Sequence, residues 1–252
     1  MNAGNNVLVD SGKKLLKFFR ILPDEQPDLS YIRPNGVLRT RQEYQHAMRV
    51  LKKMGMLLCD DRAKNWDTLA ALALIRKYFP APETAILDAG GEYYSCIMPS
   101  LHHSGYVNLR CINLVFMHPF RKGNILFEYG DITRTKFKDG TFEAITCLSV
   151  IEHGVDMNAY FKEMSRILKP GGILFTSTDY WQDHIDTENK EAYGCPIKIF
   201  TAEDIRRFIR IAEFFGFESL APLELDCVDK VVAWPQFNLH YTFVYFLLRK
   251  RK

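Results

Sequence analysis

From position 85 onward, short β-type apolar runs alternate with helical patterns, and that rhythm constrains the chain more than any other feature. It calls for βαβ units around a mainly parallel sheet. Residues 85–89, 109–114, 124–129 and 142–150 read as the first four strands. Asp156 stands where it caps a helix whose apolar positions are Tyr160, Phe161, Met164, Ile167 and Leu168. Pro170-Gly171-Gly172 then turns into a strand over 173–177. Thr201 and Asp204 have capping-box spacing for a helix carrying Ile205, Phe208, Ile209, Ala212 and Phe215, which stops at Gly216. Residues 217–225 and 240–249 close the sheet.

Residues 1–80 precede this rhythm and read as helical. One helix covers 13–22 and is broken by Pro23 and Pro27. A second starts at the capping box Thr40–Glu43 and runs to about Leu58. A third follows Asn65 through Trp66, Leu69, Leu72, Ile75 and Phe79 to Pro80. The division expected is therefore a helical extension over 1–80 and an α/β domain over 81–252. At 252 residues, 47% hydrophobic and 25% charged, the chain has the makings of an ordinary soluble core. A formal charge of +3 gives no electrostatic reason for a nucleic-acid partner. The basic end Arg249-Lys250-Arg251-Lys252 is a solvated terminus or a phosphate or lipid contact. The six cysteines form no CxxC pair, so no metal site is expected. They read as reduced thiols of a cytoplasmic protein, several of them packed as small hydrophobes. The apolar run 241–248 is too short to span a bilayer, and no membrane partner is expected.

Four segments in order carry the chemistry. Ile86-Leu87-Asp88-Ala89-Gly90-Gly91 ends a strand with an acid and enters a glycine turn. Tyr129-Gly130-Asp131-Ile132 leads to Phe137-Lys138-Asp139-Gly140-Thr141-Phe142-Glu143. Cys147-Leu148-Ser149-Val150-Ile151-Glu152-His153 follows, and then Arg166-Ile167-Leu168-Lys169-Pro170-Gly171-Gly172-Ile173-Leu174. The ordered set, covering roughly 85–249, resembles the class I S-adenosylmethionine (SAM)-dependent methyltransferases of the small-molecule type. The resemblance implies a Rossmann-like, mainly parallel seven-stranded sheet with helices on both faces. It implies SAM as cofactor, bound beyond the C-terminal strand ends. Asp88, Gly90, Gly91, Asn113, Leu114, Asp131, Ile132 and Ser149 are the cofactor-side residues it indicates. Asp131 would accept from an adenine amine and Ile132 would wall the ring; the plainer reading of Gly130-Asp131 is a turn.

Two segments depart from the family pattern, the first turn and the end of the second strand. Glu92 and Tyr94 stand where the family carries further glycines, and Glu92 adds charge near the expected carboxylate of the methionine moiety. Asn113 stands where the family carries an acid that grips the ribose hydroxyls. The same turn, Gly90-Gly91-Glu92-Tyr93-Tyr94-Ser95, also lacks the spacing of a dinucleotide-binding loop, which argues against a nicotinamide oxidoreductase. His153 is the candidate general base, with a loop-orienting role as its other reading. Asp179, Tyr180 and Trp181 are candidates for the acceptor wall, in a segment similar to glycan and secondary-metabolite methyltransferases; the other reading is a surface loop with buried aromatic anchors. The function expected is methyl transfer to an O or N atom of a small polar molecule, a sugar or a secondary metabolite. A non-catalytic relative that keeps the fold as a binding or scaffolding protein is the alternative. The N-terminal extension would serve as a lid or as a homodimer contact.

Overall fold

The computed structural model describes residues 27–252, so the helix read over 13–22 lies outside the described residues. Twelve strands and five α-helices follow one another as β1 (Asn35–Val37), α1 (Arg41–Lys53), α2 (Lys64–Tyr78), β2 (Ala85–Ala89), α3 (Ile97–His103), β3 (Asn108–Asn113), β4 (Phe120–Lys122), β5 (Ile125–Tyr129), β6 (Phe142–Leu148), α4 (Met157–Ile167), β7 (Leu168–Tyr180), β8 (Glu191–Ala192), β9 (Cys195–Pro196), α5 (Ala202–Phe214), β10 (Phe217–Ser219), β11 (Val232–Trp234) and β12 (Leu239–Lys250). The main sheet runs β1-β12-β7-β6-β2-β3-β5-β4, with β10 and β11 also paired to β12. Strands β7, β6, β2, β3 and β5 run parallel to one another, and β12 returns antiparallel to β7.

Strand side chains alternate between two cores, as a sheet covered on both faces requires. Ile86, Ala144, Phe175 and Leu247 face α2 and α3. Leu87, Ile145, Leu174 and Phe246 face α4 and α5. Helix α2 buries Leu69 through Ile75 without interruption in the first of these cores, so residues 64–78 share their packing with the sheet. The caps read from sequence form. Asp156 accepts from the N–H groups of Asn158 and Ala159, and Thr40/Glu43 and Thr201/Asp204 are reciprocal capping boxes.

The structure corrects five expectations. Residues 35–37, inside the stretch read as helical, form an edge strand; Gly36 lets it lie close on the Tyr245 ring, 3.0 Å from where a Cβ would stand. Helix α1 ends at Lys53, five residues before Leu58, because Gly55 turns left-handed (φ 74°) and Met56 N–H reaches back to the Leu51 carbonyl at 2.9 Å. The Pro-Gly-Gly turn is instead an irregularity within β7, where the register jumps from Phe142–Leu168 to Ala144–Ile173. The sheet has ten strands where seven were expected, because short β1, β4 and β11 are added antiparallel at its edges. Of the strand read over 217–225, only Phe217–Ser219 pairs, since Pro222 offers no N–H to a ladder.

Asn35 joins these edges. On β12, residues 244–246 pair with β1 and 248–250 with β10, which leaves Leu247 between them. Asn35 Oδ1 accepts the Leu247 N–H at 3.0 Å, and its Nδ2 donates to the Ala221 carbonyl and to Ser219 Oγ. Asn35→Ala leaves the buried Leu247 N–H unpaired and is expected to cost about 2 kcal/mol in urea unfolding. A loss below about 0.5 kcal/mol would show that β1 is dispensable to that edge.

Candidate active site

Because the central strands are parallel, their C-terminal ends share one edge, the position of ligand crevices in such sheets. β2 delivers Gly90-Gly91 to it, β3 Asn113-Leu114, β5 Gly130-Asp131, β6 Ser149 and β7 Asp179. All the cofactor-side positions expected from sequence therefore meet, yet several do different work.

Asp88 is 1% exposed and turned inward. Thr146 Oγ1 donates to its Oδ1 at 2.7 Å and Ser95 Oγ to its Oδ2 at 3.3 Å. Burial, only partly opposed by those bonds, raises its carboxyl to about 6. A Cβ on Gly91 would lie 2.0 Å from Asp88 Oδ2, and one on Gly90 (φ 90°) would lie 2.6 Å from Val150 Cγ1. These glycines thus make room for the protein's own atoms. Asn113, expected at a ribose, donates from Nδ2 to the Gly90 and Gly91 carbonyls at 2.9 and 3.1 Å. Ile132, expected to wall the ring, is 7% exposed and belongs to the core cluster that also holds Ile112. The open apolar surface at that end belongs to Leu114 and Tyr129, 56% and 51% exposed. Asp131 Oδ1 accepts from the N–H and hydroxyl of Thr133 at 2.8 and 2.7 Å, which forms a turn and leaves Oδ2 for another donor.

Ser149 holds a left-handed backbone (φ 52°), a conformation costing about 1 kcal/mol for a residue with a side chain. Its N–H bonds the Ser177 carbonyl at 3.0 Å, and its Oγ is buried without a partner. Tyr180 is withdrawn from the acceptor wall: it is fully buried, and its hydroxyl donates to the Leu225 carbonyl at 2.7 Å. Trp181 is half-buried with the Lys230 ammonium 4.9 Å over its ring. Asp179 is buried beside Tyr241.

Sequence reasoning missed what α2 adds. Asp67, fully buried, accepts from Ser177 Oγ at 2.6 Å through Oδ2, while Oδ1 has no partner. Glu152 is also buried and accepts from Thr178 Oγ1 at 3.0 Å. Three buried carboxylates, Asp67, Glu152 and Asp179, therefore gather around Lys64. Burial raises all three, Asp67 to about 6. Burial alone would lower the Lys64 ammonium, but Glu152, Asp179 and Asp67 outweigh it and hold it raised. The signal in the sequence was an acid in a helix otherwise apolar from 69 to 75.

His153 follows Glu152. Burial, then the charge of Lys64, lowers its imidazole, so the neutral ring prevails at neutral pH. Its Nδ1 is buried without a partner, and its ring meets Tyr193 edge-on at 5.4 Å. Tyr193 sits between β8 and β9 with a left-handed backbone (φ 56°), with its hydroxyl near that of Tyr94 of the first turn. The β8–β9 hairpin thereby comes close to the first turn. Among the described residues no group of three or more His, Cys, Asp or Glu is placed to hold a metal. One cavity of about 510 Å³, lined by Ala73, Pro82 and Tyr106, lies at the opposite, N-terminal end of the strands, and one of about 420 Å³ lies between β1, α1 and α2. Neither gathers perturbed carboxylates, so the strand-end crevice is the candidate site.

Asp67 gives a pH test. Its folded value of about 6 exceeds the ordinary 3.8, so its share of stability is full below pH 3.8 and lost as pH rises through 6. A shift of about two units corresponds to at most about 3 kcal/mol. Urea unfolding at pH 5 and pH 7.5 is expected to show a smaller pH difference for Asp67→Asn than for the wild type. An identical difference in both proteins would contradict this burial.

Comparison with known proteins agrees with this architecture. Residues 113–176 match the family described as "Methyltransferase domain". The match starts after the first glycine turn. A ubiquinone biosynthesis O-methyltransferase of Xanthomonas oryzae pv. oryzae is 49% identical over 110 residues, 39% of this chain and 42% of that protein. A sterol 24-C-methyltransferase (erg6) of Aspergillus fumigatus is 27% identical over 114 residues, 43% of this chain and 30% of that protein. The chain thus spans less than half the length of these curated relatives. In fold it is similar to an S-adenosylmethionine-dependent methyltransferase of Mesorhizobium loti, with a TM-score of 0.51 and 17% identity, covering 75% of this chain and 98% of that one. Residues 113–176 thus match a methyltransferase domain, and the chain as a whole is similar in fold to SAM-dependent methyltransferases.

Proposed function

We propose that the chain binds SAM in the strand-end crevice and transfers its methyl group to an oxygen or nitrogen of a small polar molecule, such as a sugar or a secondary metabolite. The observation that carries this reading is the set of buried, unpartnered polar atoms at one place: Asp67 Oδ1, Ser149 Oγ and His153 Nδ1. Buried polar atoms are normally hydrogen-bonded, and exceptions gather where a ligand completes them. The residues also fit a molecule with an apolar ring at one end and an amino-acid group at the other. Leu114, Tyr129 and the open Asp131 Oδ2 suit the adenosine part. The first turn and Ser149 suit the amino-acid part.

SAM supplies an electrophilic methyl group when bound. The chain's own contribution is alignment, exclusion of water and removal of a proton from the acceptor. His153 is neutral and has a free Nδ1, so it is the base in this reading. Asp179 and Glu152 accept hydrogen bonds from the hydroxyl or amine groups of the acceptor, and Tyr94 and Tyr193, close to one another, cover the crevice. The free thiols of all six cysteines suit a cytoplasmic setting. No described helix is long and apolar enough to cross a membrane. The second reading, a binding protein without catalysis, rests on Glu92 and Tyr94 at the glycine positions.

Calorimetric titration with SAM and S-adenosylhomocysteine (SAH) separates the two readings. Micromolar binding is expected, weakened about tenfold or more in Asp131→Ala with little loss of fold stability, a hydrogen bond to a charged group being worth about 1.5–3 kcal/mol. No heat at millimolar ligand leaves the binding-protein reading. Once an acceptor is found in a screen of hydroxylated sugars and metabolites, His153→Ala is expected to slow turnover about 100-fold or more while SAM affinity holds. The acid limb of the wild-type pH–rate profile is expected below the ordinary histidine value of 6.5. A limb near 7 that survives in His153→Ala would move the base to Glu152.

A further inference from the structure

Asn113 occupies the place where the family grips a ribose, but its bonds are already made. Both Nδ2 hydrogens are spent, on the Gly90 carbonyl at 2.9 Å and the Gly91 carbonyl at 3.1 Å. Its Oδ1 accepts the Val115 N–H at 3.2 Å, and its backbone carbonyl accepts the Gly130 N–H at 3.2 Å. The side chain therefore ties the end of β3 to the first turn. A trans peptide sends its carbonyl and its N–H in opposite directions. With the carbonyls of Gly90 and Gly91 drawn to Asn113, the N–H groups of Gly91 and Glu92 point to the other side of the turn.

We propose that Asn113 is a positioning residue, not a ribose ligand: it holds the Gly90-Gly91 turn in the shape that receives the amino-acid end of the cofactor. The proposal rests on the SAM reading for its ligand. It accounts for the acid's absence, since an aspartate at 113 would bring a carboxylate against two carbonyls with no proton between them. It accounts also for the side chains tolerated later in the turn. The Tyr93 ring packs on Phe116 at 4.9 Å and on Phe120 at 5.6 Å, so the turn is anchored from both sides.

The two roles for residue 113 give opposite signs in one experiment. Wild type and Asn113→Asp are titrated with SAH and with methylthioadenosine, which keeps the adenosine but lacks the amino-acid end. In the positioning role Asn113→Asp weakens SAH binding at least tenfold and methylthioadenosine binding less than threefold. Equal or tighter SAH binding by Asn113→Asp, as a restored ribose acid would give, overturns the proposal. So does an equal loss for both ligands.

A second measurement covers a variant that folds poorly and a wild type that does not bind. Asn113→Ser keeps a polar side chain too short to reach both carbonyls. Amide hydrogen exchange of the ligand-free proteins is expected to speed up at least tenfold over residues 90–96 in Asn113→Ser, with β6 and β7 unchanged. Unchanged exchange over 90–96 overturns the clamp. Faster exchange together with a wild type that ignores SAH retains the clamp and removes the SAM reading.

Discussion

The Asp88 carboxylate is buried where the first strand of the parallel sheet ends, and the arrangement of the crevice follows from where its two oxygens go. Thr146 holds one oxygen from β6, and Ser95 holds the other from the start of α3. Burying a carboxylate is costly unless hydrogen bonds meet it, and these donors offset the cost only in part. The space it takes leaves none for a Cβ at position 91. The chain bends there, the carbonyls of Gly90 and Gly91 meet Asn113, and Tyr93 falls onto the aromatic cluster of Phe116 and Phe120. A turn fixed by a buried acid, an amide clamp and an aromatic anchor does not depend on further glycines. That is how Glu92 and Tyr94 stand in it.

A second constraint acts on the other side of the crevice. Asp67, Glu152 and Asp179 are buried around Lys64, three carboxylates with one ammonium. Such a cluster is poor at stabilising a fold, because removing charges from water offsets most of their attraction. It places carboxyls raised by burial beside a neutral imidazole, the kind of arrangement found at functional sites. The left-handed Ser149 and the unpartnered Asp67 Oδ1 lie in the same place. Strain and unsatisfied polarity meet at these strand ends, above two cores whose strand side chains are apolar and closely alternating.

The central strands were legible because their apolar runs are bounded by turn residues, and the caps at Thr40, Asp156 and Thr201 because capping is local chemistry. Asn35–Val37 was not legible: three residues carry no period, and their pairing depends on β12, more than two hundred positions away. Placing Asp88, Asn113 and Ser149 at one edge needed only the strand order. Their jobs depended on which way each side chain turned, and that depends on neighbours distant in sequence. Asp88 turns in toward Thr146, Ile132 and Tyr180 turn into the core, and Asn113 is drawn to carbonyls that only the folded turn presents. The share of α2 in the site was hidden because that helix is buried nearly all round and shows no polar stripe.

Hydrogen exchange measured with and without SAH tests most directly whether the strand-end crevice is the cofactor site. The account expects protection over residues 89–96, 113–117, 129–133 and 149–153, four segments distant in sequence that meet only at this edge. Protection absent from these segments, or confined to the cavity lined by Pro82 and Tyr106 at the far end of the strands, would contradict it.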